Sequence, residues 1–121
     1  MIKMITTLKK KSGMSTERFR AYYENHHRLI GEKYLKGYAS RYVRRYLNPV
    51  PDEFGELLAP EFDVLLEIWF ADEVALQACM VKLNEPTVAE EIAVDEEKLF
   101  DRSLKRSYTV DENESMIGEL L

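Results

Sequence analysis

Nine residues constrain this chain more than any others: Phe62–Phe70, FDVLLEIWF. Seven of them are apolar, five are β-branched or aromatic, and the run is too short for a helix of ordinary length. A strand that is apolar on successive rather than alternate residues is buried on both faces. This segment is therefore a central strand. Other strands must flank it, and helices or a second sheet must cover it.

The remaining sequence supplies those pieces in a definite order. Ile2–Lys10 alternates apolar with polar or small residues and reads as a strand, broken by Ser12-Gly13. Ser15 or Thr16 caps a helix with Glu17 in its first turn, and the helix runs to about Tyr34. On an α-helical wheel Phe19, Tyr22, Tyr23, His26, Ile30 and Tyr34 form its inner stripe, with His27 at the edge beside Tyr23 and Tyr34. Gly37 ends that turn, and Tyr38–Tyr46, aromatic and interleaved with arginine, is a second strand. Leu47–Glu61, with Pro49, Pro51, Gly55 and Pro60, is a long connection. It is either a plain hairpin link or, through Phe54, Leu57 and Leu58, a lid. After the central strand Asp72 caps a helix to about Leu83, Pro86 opens a further helical stretch, and Ser103–Val110 is a last strand. Cys79 sits in an apolar helix face and reads as inert.

The order is βαββαβ, that of a ferredoxin-like α+β sandwich. Right-handed crossovers place the helices on one face of a four-stranded antiparallel sheet and leave the other bare. Residues 1–112 make up this domain and 113–121 an acidic tail. A second copy packed sheet to sheet would cover the bare face, so a homodimer is expected.

Composition narrows the class. A chain of 121 residues is one domain by size, and 45% apolar content is enough for a core. The single cysteine excludes an internal disulfide and fits a reducing compartment. MIKMITTLKKK is too charged for a signal peptide, and no apolar run approaches membrane-spanning length, so a cytoplasmic protein without membrane contact is expected. A net charge of −5 argues against nucleic acid as a partner. Charge is unevenly divided: residues 1–48 carry twelve Lys/Arg against three Asp/Glu, and the rest is strongly acidic. The two halves are expected to attract each other or a second copy.

Chemistry concentrates in FRAYYENHHRLI, which holds both histidines. Histidine titrates near neutrality and is the natural acid–base group for an apolar cavity. His26 and His27 lie about 100° apart on a helix and are not expected to face one pocket together or to chelate one metal, and no HExxH, HxH or CxxC pattern exists. No metal and no cofactor are expected. Glu67, a carboxylate inside the most apolar strand, is either a partner for an imidazole or the acid of a salt bridge to Arg41, Arg44 or Arg45. Tyr22, Tyr23, Tyr42 and Trp69 could line a flat cavity for an aromatic ligand, or could be plain core.

Phe19-x-x-Tyr22-Tyr23-x-x-x-His27, after a first strand and a capped helix start, resembles the helix motif of the EthD-like proteins. Tyr42-Val43, the E-x-W-F run Glu67-Ile68-Trp69-Phe70 with Asp72 after it, and Val110-Asp111-Glu112 resemble the family's later strands. The resemblance implies a dimeric α/β barrel with a pocket between helices and sheet in each subunit. It implies relatives tied to ethyl tert-butyl ether breakdown, cofactor-free dehydratases of aromatic polyketides, and related cyclases and monooxygenases. On that pattern His27 is the family's histidine, a general acid–base acting on a small hydrophobic molecule. Glu67 would tune it, and Tyr22, Tyr23, His26, Tyr42 and Trp69 would shape the pocket. Relatives often read His-(Gly/Ala)-Pro-Leu where this chain has His27-Arg28-Leu29-Ile30, so the helix should continue past the histidine. A non-catalytic protein holding an apolar compound or haem is the alternative reading.

Overall fold

Both edges of the central strand are paired. The computed structural model describes residues 1–120. Its strands are β1 (Ile2–Leu8), β2 (Ala39–Tyr46), β3 (Val64–Phe70) and β4 (Arg106–Thr109), in the order β2-β3-β1-β4 with every neighbour antiparallel. This is the ferredoxin-like arrangement, and β3 takes the interior place its composition requires. The helical elements are α1 (Thr16–Tyr22), a π-helical turn (Tyr23–His27), α2 (Arg28–Leu35), α3 (Glu73–Leu83) and α4 (Pro86–Glu96). Ser15 and Asp72 cap α1 and α3 by accepting hydrogen bonds from Arg18 N and Ala75 N, and Pro86 opens α4.

Alternate residues of β3 face opposite ways. Val64, Leu66, Ile68 and Phe70 lie in the core with the helices. Phe19, Tyr23, Leu8, Leu99 and Phe100 join one cluster, and Leu35, Leu76 and Cys79 the other. Fully burying a side chain such as Phe19 or Phe70 contributes about 2–3 kcal/mol against the entropy of ordering the chain. The intervening residues Leu65, Glu67 and Trp69 face the other side, level with Arg41, Val43 and Arg45 on β2 and Lys3 and Ile5 on β1.

β1 and β4 are shorter than their sequence suggests. β1 stops at Leu8, although Lys10 still bridges to Phe100. Residues 102–104 form a 3-10 turn because the Asp101 carboxylate accepts from both the backbone N–H and the hydroxyl of Ser103. The strand therefore starts at Arg106. Leu47–Glu61 is an exposed connection between β2 and β3. Asp52 nucleates its turn, and Phe54, Leu57 and Leu58 point into solvent. The basic and acidic halves do meet within one chain, through Arg45–Glu67, Lys9–Asp63 and Lys33–Glu91.

The long helical element departs from a simple wheel. Arg28 N–H reaches back five residues to the Tyr23 carbonyl, inserting a π turn between α1 and α2. Each step of four residues on a regular α-helix overshoots by about 40°. Phe19, Tyr23, His27, Gly31 and Leu35, spaced by four, would wind away from the core. The π turn absorbs that overshoot, so Phe19, Tyr23, His27 and Leu35 are all buried. As expected without the proline, the helix continues through Arg28–Leu35.

Candidate functional site

His27 is the histidine that faces inward, and His26 is not. The π turn carries His27 to the inner side, where it is 7% exposed. Its ring stands edge-on to Tyr23 at 5.0 Å and to Phe100 at 6.0 Å between centroids. His26 lies exposed on the outside, its ring 4.7 Å from that of Tyr22. The pocket role expected of His26 fails because an α-helical wheel does not foresee the extra residue in the turn.

The partner of His27 is Asp95 of α4. The imidazole Nδ1–H donates to Asp95 Oδ2 at 2.8 Å, and the Tyr22 hydroxyl donates to Asp95 Oδ1 at 2.6 Å. Both carboxylate oxygens are therefore engaged, and the bond from Nδ1–H selects the tautomer whose lone pair lies on Nε2. Nε2 has no hydrogen-bond partner among the described residues. It is also not sealed, since none of the buried side-chain nitrogen and oxygen atoms described lacks a partner. Burial and the bond to Asp95 together push the Tyr22 phenol up to about 12.

His27 looks into a cavity of about 100 Å³ between α2, α4 and the sheet. Tyr23 and Tyr42 line one side, and Leu66, Ile68, Leu83 and Ile92 make it apolar. The Tyr23 and Tyr42 hydroxyls stand 2.6 Å apart. Burial raises both phenols, Tyr23 well above its ordinary value and Tyr42 to about 12, so both stay protonated at neutral pH. Two hydroxyls bonded to each other share one hydrogen and leave the other free to donate. Gly31 lets Tyr42 lie against the helix, since a Cβ there would come 2.9 Å from the Tyr42 ring.

Two expected site residues lie elsewhere. Glu67 and Trp69 point to the opposite face of the sheet, because odd-numbered residues of β3 face away from the helices. Glu67 accepts from Arg45 Nε at 2.9 Å and Nη2 at 3.2 Å, and the Arg45 guanidinium holds its carboxyl below the usual range. Lys3 and Arg41 stand over the Trp69 ring. Glu67 therefore cannot tune His27, and the salt-bridge alternative describes it. Tyr22 supports Asp95 rather than lining the cavity. Asp95 itself carried a signal: it falls on the stripe Val88, Ile92 and Leu99, which runs through α4 and the turn after it, where a carboxylate needs a partner.

Residues 11–103 match the EthD domain. The chain belongs to the EthD family. Its fold resembles an ethyl tert-butyl ether degradation (EthD) family protein of Bacillus halodurans, at 18% identity and a TM-score of 0.62 over 93% of this chain and 100% of that one. It also resembles a dimeric protein of ferredoxin-like fold from Bacteroides fragilis, at 12% identity and a TM-score of 0.57, covering 92% and 95%. An antibiotic biosynthesis monooxygenase shares the fold at 11% identity, with a TM-score of 0.53 and coverage of 94% and 100%. A search among curated proteins found no match. Among the described residues no helix is long and apolar enough to cross a membrane.

Proposed function

We propose that this EthD protein is a cofactor-free acid–base enzyme acting on a small hydrophobic carbonyl compound, aromatic or polyketide-like, with His27 as the catalytic base. The observation that carries the proposal is the pairing of Asp95 with Nδ1 of His27, a histidine that lines an apolar cavity and whose Nε2 has no partner among the described residues. In a dehydration Nε2 takes the proton beside the carbonyl. The C–H electron pair becomes a C=C bond, the β C–O bond breaks, and the departing hydroxide takes the proton from Nε2 to leave as water. The free hydrogen of the Tyr23–Tyr42 pair donates to the carbonyl oxygen as charge develops there. Asp95 positions the imidazole and stabilises its protonated form.

Small β-hydroxy ketones in deuterated water test this by NMR, as deuterium uptake beside the carbonyl or loss of water. Exchange above the buffer rate should fall about 10²–10⁴-fold in His27→Gln, with melting unchanged. Asp95→Asn should lower the rate and move its pH profile. Rates equal to native in His27→Gln refute the assignment. Tight binding without exchange by any such compound would favour the non-catalytic reading.

The protein is also proposed to be a homodimer. The sheet face bearing Ile5, Val43, Leu65, Trp69 and Tyr108 lacks a covering layer in one chain, and Tyr108 there is 53% exposed. The dimeric Bacteroides relative supports that reading. Sedimentation of Trp69→Glu, expected to be monomeric, tests it.

A further inference from the structure

On the outer side of the His27–Asp95 pair lies a second hollow, an open cleft between α2 and α4 lined by Ile30, Thr87, Glu90, Glu91, Asp95 and Lys98. Ile30 lines both this cleft and the cavity. The wall between them is thus formed by Ile30 beside two hydrogen-bonded pairs, His27–Asp95 and Tyr34–Glu91. The inner cavity, about 100 Å³, is smaller than the ~150 Å³ apolar cavity that accepts benzene. A ring fits beside His27 only if part of the lining gives way. His27 and Asp95 hold each other at 2.8 Å, and Asp95 is also held by Tyr22. Ile30, half-buried and without a polar anchor, is the movable member.

The cleft has its own selectivity. Three carboxylates line it against one lysine. Glu91 is neutralised by Lys33 and takes the Tyr34 hydroxyl, which leaves Glu90 and Asp95 facing Lys98. An anionic group lodged there would meet excess negative charge.

We infer that Ile30 is the specificity-determining gate of the site: ligands enter from the α2/α4 cleft, and Ile30 limits the part reaching His27 to one ring while the cleft accepts a neutral or cationic tail. This rests on the reading of the His27 cavity as the ligand site, but not on catalysis. The chain has two histidines, so their imidazole ¹⁵N signals report contact with His27 against an internal control, His26.

Tyrosol, tyramine and 4-hydroxyphenylacetate carry one ring with neutral, cationic and anionic tails. Native protein should bind xenon in the cavity and tyrosol weakly, with the His27 signals responding and those of His26 still. Ile30→Ala should bind tyrosol at least tenfold more tightly and admit 2-naphthol. Ile30→Phe should lose tyrosol while remaining folded. In the native and Ile30→Ala proteins 4-hydroxyphenylacetate should bind at least fivefold more weakly than tyramine. Equal affinities for tyrosol and 2-naphthol in native and Ile30→Ala protein overturn the gate, as does preference for the anion. Selective binding through Ile30 without deuterium exchange would retain the gate and refute the acid–base reading. Exchange indifferent to Ile30 would do the reverse.

Discussion

Replacing Gly31 by alanine sets two effects of opposite sign against each other. In a helix interior Gly→Ala ordinarily stabilises by about 1 kcal/mol, because glycine is the more flexible residue in the unfolded chain. At Gly31 the added Cβ would stand 2.9 Å from Tyr42 Cε2 and 3.1 Å from both its Cζ and its hydroxyl oxygen. The ring cannot yield cheaply. The Arg44 guanidinium lies over it at 4.9 Å, and its hydroxyl is 2.6 Å from that of Tyr23. Overpacking of this kind costs about 1–3 kcal/mol, and losing the buried hydroxyl pair about 1 more. The clash outweighs the helix gain, and Gly31→Ala should be destabilised by about 1–3 kcal/mol net. Urea unfolding of the single and double mutants with Tyr42→Ala measures this. With the ring gone, Gly31→Ala should stabilise by up to ~1 kcal/mol, giving a coupling of about 2 kcal/mol or more. Equal destabilisation in both backgrounds, or stabilisation in the native one, would refute the packing of Tyr42 on this glycine.

Other perturbations have equally definite outcomes. Phe19→Ala removes a fully buried ring and should cost about 3–5 kcal/mol in chemical unfolding. The Arg44 guanidinium, aided by the Tyr46 hydroxyl, holds the Glu24 carboxyl below its ordinary value of 4.5. A depressed folded-state value makes this stabilisation full above the ordinary value and lost as pH falls through the depressed one. Glu24→Gln should therefore flatten the acid limb of thermal stability, and an unchanged limb would assign it to other carboxylates. Glu67→Gln, on the far face of the sheet, should leave the His27 imidazole signals in place; a shift would contradict the separation of the two groups.

Much of the fold could be read from patterning because each element states its own environment. FDVLLEIWF is apolar on both sides, and only an interior strand satisfies that. The caps at Ser15 and Asp72, and Pro86, marked helix starts within a residue. The strand ends were less legible, since whether Ser103 pairs in a strand or turns back depends on the nearby Asp101 carboxylate. The site was legible only in part. Motif resemblance singled out His27, while helical periodicity favoured His26. The wheel failed because the π turn is a choice made by packing Tyr23 and His27 together under Phe100.

What the sequence determined by itself was the order of elements, the interior strand and the helix that carries the histidine, all of which follow from local periodicity. Tertiary structure decided which groups meet. Glu67 and His27 lie on neighbouring elements, yet the pleat of β3 sends the carboxylate to the other face of the sheet. Asp95, 68 residues along the chain from His27, becomes its partner because α4 packs beside α2. Period-two and period-3.6 patterns say which side of an element is buried. They do not say which buried side chain of another element will stand across from it, and that pairing orients the imidazole.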